Sequence, residues 1–205
     1  MKQSYIVPFA WILSGVVVIL GLLAWQQSLV VPIDQMGLYN VFPLFGVLAF
    51  SLMWVHYIVG VVTRHTGFDR AKLKPYLTVT SLSVLFALLL HPGLLTWQMW
   101  RDGLGLPVNY VAPNLVLFVI LGQIALVMFI AYEFHRLYEN RSWWHYVERA
   151  SDLAMILILI HGFRLSQTLF PYWFTWGLWV FYGITFTAAI VHSTAYRHRT
   201  TGKWL

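Results

Sequence analysis

Two histidines lie deep within long apolar stretches of the sequence, where burial of an imidazole is costly. His91 ends the stretch LFALLLH, and His161 ends the stretch MILILIH. Ionisable side chains inside segments of membrane-spanning length are rare and usually functional. Neutral imidazole is also a common ligand of haem iron and of other metals. We therefore take His91 and His161 as the first candidate ligands of a cofactor.

The elements that position these histidines are membrane-spanning helices. Of the 205 residues, 60% are hydrophobic and 10% are charged, and the mean hydropathy is +0.70, so there are too few polar residues to cover a soluble globule. Each span needs roughly 20 apolar residues. The sequence predicts an all-α polytopic fold with one transmembrane domain and no separate soluble domain. Its six helices are expected at about residues 6–25, 41–62, 75–97, 113–132, 150–170 and 172–195.

The basic residues predict the orientation of this bundle, because short cytoplasmic loops are rich in Lys and Arg. With the N-terminus inside, all of the 13 Lys and Arg residues except Arg101 and Arg164 lie on the inner side. We expect both termini in the cytoplasm and the protein in a bacterial inner membrane. The formal net charge of +6 then favours contact with anionic lipid headgroups rather than with nucleic acid.

The two histidines are predicted to reach comparable depths. His91 follows Pro75 by sixteen residues and His161 follows Arg149 by twelve, which corresponds to about 24 Å and about 18 Å along a helix. Helices three and five run in the same direction, so both imidazoles fall in the outer half of the bilayer and can share one iron. The alternative is two isolated polar side chains that bond to neighbouring helices.

The surroundings of the two histidines favour a non-covalent haem. Pro92 and Gly93 follow His91 and can loosen the helix beside a macrocycle. Arg164 projects from nearly the same face as His161, where it either pairs with a haem propionate or reaches the lipid headgroups. The chain has no cysteine, which excludes covalent haem attachment and thiolate ligands.

The other histidines lie closer to the inner side. His56 is about six residues from the inner end of helix two, where it either bonds to a backbone carbonyl or faces an inner cofactor. For the remaining five we expect a solvated role or contact with headgroups, and His145 is the strongest exception because it adjoins the start of helix five. These five are His65, His135, His145, His192 and His198.

Two segments resemble the ferric-reductase-like transmembrane haem domain, a six-helix bundle of ferric reductases, NADPH oxidases and the bacterial haem-binding subunit of a methionine sulfoxide reductase system. They are RAKLKPYLTVTSLSVLFALLLH and SWWHYVERASDLAMILILIH, and the resemblance covers about helices two to six. In that family helix five commonly carries W-x-x-x-H-x12-H. Here Trp144 is followed by Glu148 at the inner position and by His161 at the outer one. On helix three His91 matches the outer ligand, whereas Leu77 and Thr78 cannot bind iron.

The resemblance implies one outer haem b, held by His91 and His161, in a subunit that passes electrons to an acceptor at the outer face. The chain has no Gly-rich nucleotide-binding motif, so the donor is expected to be a separate cytoplasmic flavoprotein or membrane quinol. A flavin or a quinone at the inner side is the candidate second carrier. The residues expected to surround its docking position are His56, Trp144, His145, Glu148 and Arg149.

Two other classes of function remain open. A haem-free membrane scaffold or partner subunit would use its histidines for packing, and the purified protein would be colourless. A proton-coupled transporter would need a relay of ionisable groups across the membrane, but the acids Glu133 and Asp152 lie near the inner ends of their helices, with only His56 and Gln123 to continue the relay. We also find no internal repeat in the sequence.

Overall fold

The computed structural model of the chain describes residues 5–133, 143–169 and 172–201, without the side chains of residues 133, 144–145, 148–149, 167–169 and 193–201. The described residues form helices and no strands, so the predicted all-α class is confirmed. The six α-helices are α1 Ile6–Gln27, α2 Leu38–Thr66, α3 Lys74–Arg101, α4 Val116–Glu133, α5 Trp144–Leu169 and α6 Trp173–Thr201. Short 3-10 turns connect some of them, at Ile33–Gln35, Arg70–Leu73, Pro107–Tyr110 and Pro113–Leu115.

Five of the described helical segments are long and apolar enough to cross a membrane. They are Ile6–Gln27, Leu38–Thr66, Arg70–Arg101, Pro113–Tyr132 and Trp173–His192. Large apolar side chains also cover the outside of the bundle: Ile12 is 66% exposed, Phe86 63% and Val127 67%. Such a surface suits lipid rather than water, so the chain has the character of a membrane protein.

The connection between α2 and α3 shows how local sequence sets the ends of these helices. Gly67 ends α2 with a φ of +64°, a left-handed conformation that glycine adopts without strain. The carboxylate of Asp69 then accepts a hydrogen bond from the backbone N–H of Ala71 at 3.0 Å, and Pro75 occupies the first turn of α3, where its missing N–H costs nothing. This tight turn makes α2 and α3 antiparallel neighbours.

Helix α3 continues past His91, although a proline follows directly. Pro92 and Gly93 were expected to loosen the helix there, but α3 runs without a break to Arg101. The position of the His91 ring therefore depends on the helix packed against it rather than on a local opening of α3.

The bundle is built from two antiparallel hairpins. Helix α3 packs mainly against α2, and α5 packs mainly against α4, while α1 and α6 cover α2. Within the described residues, α3 and α5 are not among the helix pairs in extensive backbone contact. The two helices that carry His91 and His161 thus belong to different hairpins and are separated along most of their length.

Candidate functional site

His91 and His161 meet between the two hairpins. Their ring centres are 6.3 Å apart and their ring planes are nearly perpendicular, at 85°. Two imidazoles on opposite sides of one metal ion, each with a metal–nitrogen bond of about 2 Å, have ring centres roughly 6 Å apart. The observed spacing therefore matches that of two trans ligands of a single ion.

A backbone carbonyl on the neighbouring helix orients each ring. His91 Nδ1 lies 2.8 Å from the carbonyl oxygen of Phe42 on α2, and His161 Nδ1 lies 2.7 Å from that of Phe118 on α4. Because a carbonyl only accepts, Nδ1 carries the proton in both rings. The Nε2 atom of each neutral ring then keeps its lone pair, and neither Nε2 has a hydrogen-bond partner among the described residues. Metal-binding histidines commonly show this pattern of bonding.

Two glycines allow the rings to lie this close to the neighbouring helices. A Cβ atom at Gly46 would stand 2.8 Å from both Cε1 and Nδ1 of His91. A Cβ atom at Gly122 would stand 2.6 Å from Cε1 of His161 and even closer to its Nδ1. Cβ contacts under 3.0 Å are essentially never found in proteins, so each ring occupies space that only a glycine leaves open.

The two halves of the site therefore repeat one arrangement. In each hairpin the first helix carries a Phe carbonyl and, one turn later, a Gly: Phe42 with Gly46, and Phe118 with Gly122. The second helix supplies the histidine. This repeat was not evident from the sequence, because the segments FPLFG and FVILG share only two residues. The common F-x-x-x-G spacing was the signal that could have revealed it.

Aromatic side chains pack around the pair. The Phe42 ring centre lies 5.3 Å from that of His91. Beside His161, a Cβ atom at Gly162 would stand 2.7 Å from Cζ3 of Trp179, so this buried indole lies directly on the backbone of α5. Bulky apolar groups in these positions limit the access of water to the two histidines.

Arg164 lies over the ring of Phe118, the residue whose carbonyl orients His161. Its Cζ atom is 5.2 Å from the centre of the Phe118 ring, a cation–π contact, and its side chain is exposed. The guanidinium group is therefore held next to α4 on the His161 side. Its pairing with a haem propionate stays a prediction.

His56 is part of a different polar group. Its Nε2 atom lies 2.7 Å from the hydroxyl oxygen of Thr80 on α3, and that hydroxyl donates its own proton to the carbonyl of Tyr76 at 2.9 Å. His56 Nε2 is consequently the donor, to a hydroxyl and not to the backbone carbonyl that we had considered. His56 follows Gly46, which marks the level of the histidine pair on α2, by ten residues, or about 15 Å along the helix.

The predicted inner docking position is described only in part. The side chains of Trp144, His145, Glu148 and Arg149 lie outside the described part of the structure, as do those of Glu133, His135 and His198. Asp152 is described: its carboxylate accepts a 2.7 Å hydrogen bond from the hydroxyl of Tyr57, which links α5 to α2.

We compared the chain with protein-family models, with curated proteins and with solved structures, and none of the three comparisons gave a match. The geometry of the histidine pair therefore carries the functional argument.

Proposed function

We propose that the chain binds one b-type haem between His91 and His161 and passes electrons through it to an acceptor at the outer face of a membrane. The main support is the facing pair itself: two rings 6.3 Å apart, each with Nδ1 bonded to a backbone carbonyl. The resemblance of the two histidine-bearing segments to the ferric-reductase-like domain points to the same cofactor.

The number of ligands favours haem over a bare metal ion. Among the residues that the structure describes, no group of three or more His, Cys, Asp and Glu side chains is arranged to hold a metal. Two imidazoles alone leave most coordination positions of an ion unfilled, and the bulky apolar groups around this pair limit the water that could fill them. A haem supplies four nitrogens of its own and needs only two axial ligands from the protein.

The protein's residues would orient these ligands and tune them. A haem bound at this site would supply one-electron transfer. The carbonyls of Phe42 and Phe118 fix the Nδ1–H tautomer and increase the basicity of both imidazoles. Because His91 and His161 would both be engaged in holding the haem, the arrangement favours electron transfer over the binding of a substrate to the cofactor.

We also propose that α5 completes a six-helix transmembrane bundle with both termini in the cytoplasm. Its 26 residues span about 39 Å at a rise of 1.5 Å per residue, which exceeds a hydrocarbon core of about 30 Å. Leu153, Ile156 and Ile160 form an exposed apolar stripe along it. In this orientation the histidine pair lies in the outer half, and a cytoplasmic flavoprotein or a quinol supplies electrons through a second carrier near the inner side.

The proposal is tested by the absorption spectrum of the protein purified from cells supplied with haem. We expect a dithionite-reduced minus oxidised difference spectrum of a b-type haem at one haem per chain. His91→Ala and His161→Ala should each abolish it, whereas His65→Ala, the matched control at an exposed histidine, should keep it. A colourless wild-type protein would support the scaffold alternative, and full haem occupancy in His91→Ala would refute the assignment.

A further inference from the structure

A second pair of histidines lies at the inner ends of two other helices. His65, near the end of α2, and His192, on α6, have ring centres 5.6 Å apart and ring planes at 59°. With Val61, Val62 and Thr66 they line an open cleft of about 480 Å³. The residues are 127 positions apart in the chain, and each was expected to be solvated or to contact headgroups.

Both rings are available for binding. The side chains of His65 and His192 are exposed, and neither forms a hydrogen bond to a described residue. Among the described residues that line the cleft, the one hydroxyl, that of Thr66, already donates to the carbonyl of Val62 at 2.8 Å. The imidazole nitrogens are thus the available metal ligands of this cleft.

The spacing of the rings fits a bent arrangement around one ion. Two imidazoles with metal–nitrogen bonds of about 2 Å have ring centres roughly 6 Å apart when they are opposite each other, and closer when the angle at the ion is smaller. The distance of 5.6 Å is shorter than the 6.3 Å of His91 and His161. A bent pair leaves coordination positions open to water from the cleft.

We propose that His65 and His192 together bind one transition-metal ion of the Zn²⁺ or Cu²⁺ class at the inner ends of α2 and α6. Neutral imidazole suits these metals, whereas Mg²⁺ and Ca²⁺ require oxygen ligands. Within the described residues no third His, Cys, Asp or Glu side chain joins the pair, so water completes the coordination. The Irving–Williams order predicts that Cu²⁺ binds more tightly than Zn²⁺.

The role of such an ion would be structural. His65 is nineteen residues from Gly46 along α2, about 28 Å from the level of the His91 ring, which is too far for useful electron exchange. Farther from the inner end, α2 and α6 are already joined by the 2.8 Å hydrogen bond between Ser51 and Tyr182. A metal at His65 and His192 would join the same two helices at the inner surface.

The test is calorimetric titration of tag-free protein with ZnSO₄ and, separately, CuSO₄. We expect one ion per chain, and a loss of affinity of roughly tenfold or more in both His65→Ala and His192→Ala. The double variant should lose less binding free energy than the two single losses combined, because removal of one ligand already breaks a shared site. Thr66→Val, the control in the same cleft, should bind as the wild type does.

Two results would overturn the proposal: wild-type affinity in either single variant, or losses that add up in the double variant, which would indicate two independent one-histidine sites. Saturating Zn²⁺ should also raise the thermal stability of the wild type and not that of the variants. Haem content is measured in the same samples and should not change, so failure of this proposal and failure of the haem proposal are distinguishable.

Discussion

Replacing the two site glycines by alanine should displace the two histidine rings by different amounts. Ordinary contacts of a Cβ atom begin at 3.4 Å, whereas Cβ atoms at Gly46 and Gly122 would stand 2.8 Å and 2.6 Å from Cε1 of their histidines. The rings would have to move by about 0.6 Å in Gly46→Ala, and by more than about 0.8 Å in Gly122→Ala, where the contact with Nδ1 is closer still, to restore such contacts. Gly122→Ala should therefore be the more damaging change.

The expected loss can be estimated from three terms. Overpacking costs about 1–3 kcal/mol, and a stretched hydrogen bond to the Phe carbonyl costs a further 0.5–1.5 kcal/mol or so. Alanine recovers up to about 1 kcal/mol through its higher helix propensity. A net cost of about 1–3 kcal/mol corresponds to a fall in haem affinity of roughly 5- to 150-fold.

The measurement is a haem titration of haem-depleted protein, followed by absorption. Gly93→Ala is the matched control: Gly93 lies on α3 two residues after His91, and a Cβ atom there would meet nothing within 4 Å. This control should bind haem as the wild type does. If Gly46→Ala and Gly122→Ala also match it, the glycines are not what admits the rings, and the steric argument is wrong.

Two further predictions concern polar contacts between helices. Hydrogen bonds from Gln98 and Tyr39 hold the pKa of Asp102 below its usual value, so the contribution of this carboxylate to stability is present at neutral pH and is lost as the pH falls below about 5. The unfolding temperature of Asp102→Asn should therefore change less with acid pH than that of the wild type. Parallel plots of unfolding temperature against pH for the two proteins would contradict this. Tyr57→Phe removes the 2.7 Å hydrogen bond to Asp152 and should lower the free energy of unfolding by about 1.5–3 kcal/mol. An unchanged midpoint of denaturant-induced unfolding would show that the hydrogen bond between Tyr57 and Asp152 contributes nothing to stability.

Hydropathy predicted the helices better than their ends. Helix α2 was expected to end near residue 62, but it continues through Arg64 and His65 to Thr66, because polar residues extend a helix beyond the apolar core until a residue such as Gly67 turns the chain. Helix α6 likewise continues to Thr201. The length of an apolar run reflects the thickness of the membrane, whereas capping residues and turns determine where a helix ends.

Residue counting predicted that the two central histidines reach a common level, and their rings do lie 6.3 Å apart, but it did not predict their partners. The contacts of His91 with Phe42 and Gly46 depend on the rotation of α3 about its axis and on its register against α2, neither of which hydropathy encodes. The proximity of His65 and His192 is a long-range property of the same kind. Sequence spacing located the candidate ligands, and only the packing of helices revealed how they are oriented.

The duplication of the His–carbonyl–glycine arrangement bears on how the protein is made. Synthesis proceeds from the N-terminus, so the α2–α3 hairpin is made before the α4–α5 hairpin, and it contains every residue of the contacts of His91 with Phe42 and Gly46. His161 acquires its own carbonyl when α5 folds back on α4. Each hairpin thus contains all the residues of its own half of the site, and the site is complete only when the two hairpins pack together and bring the two imidazoles to 6.3 Å.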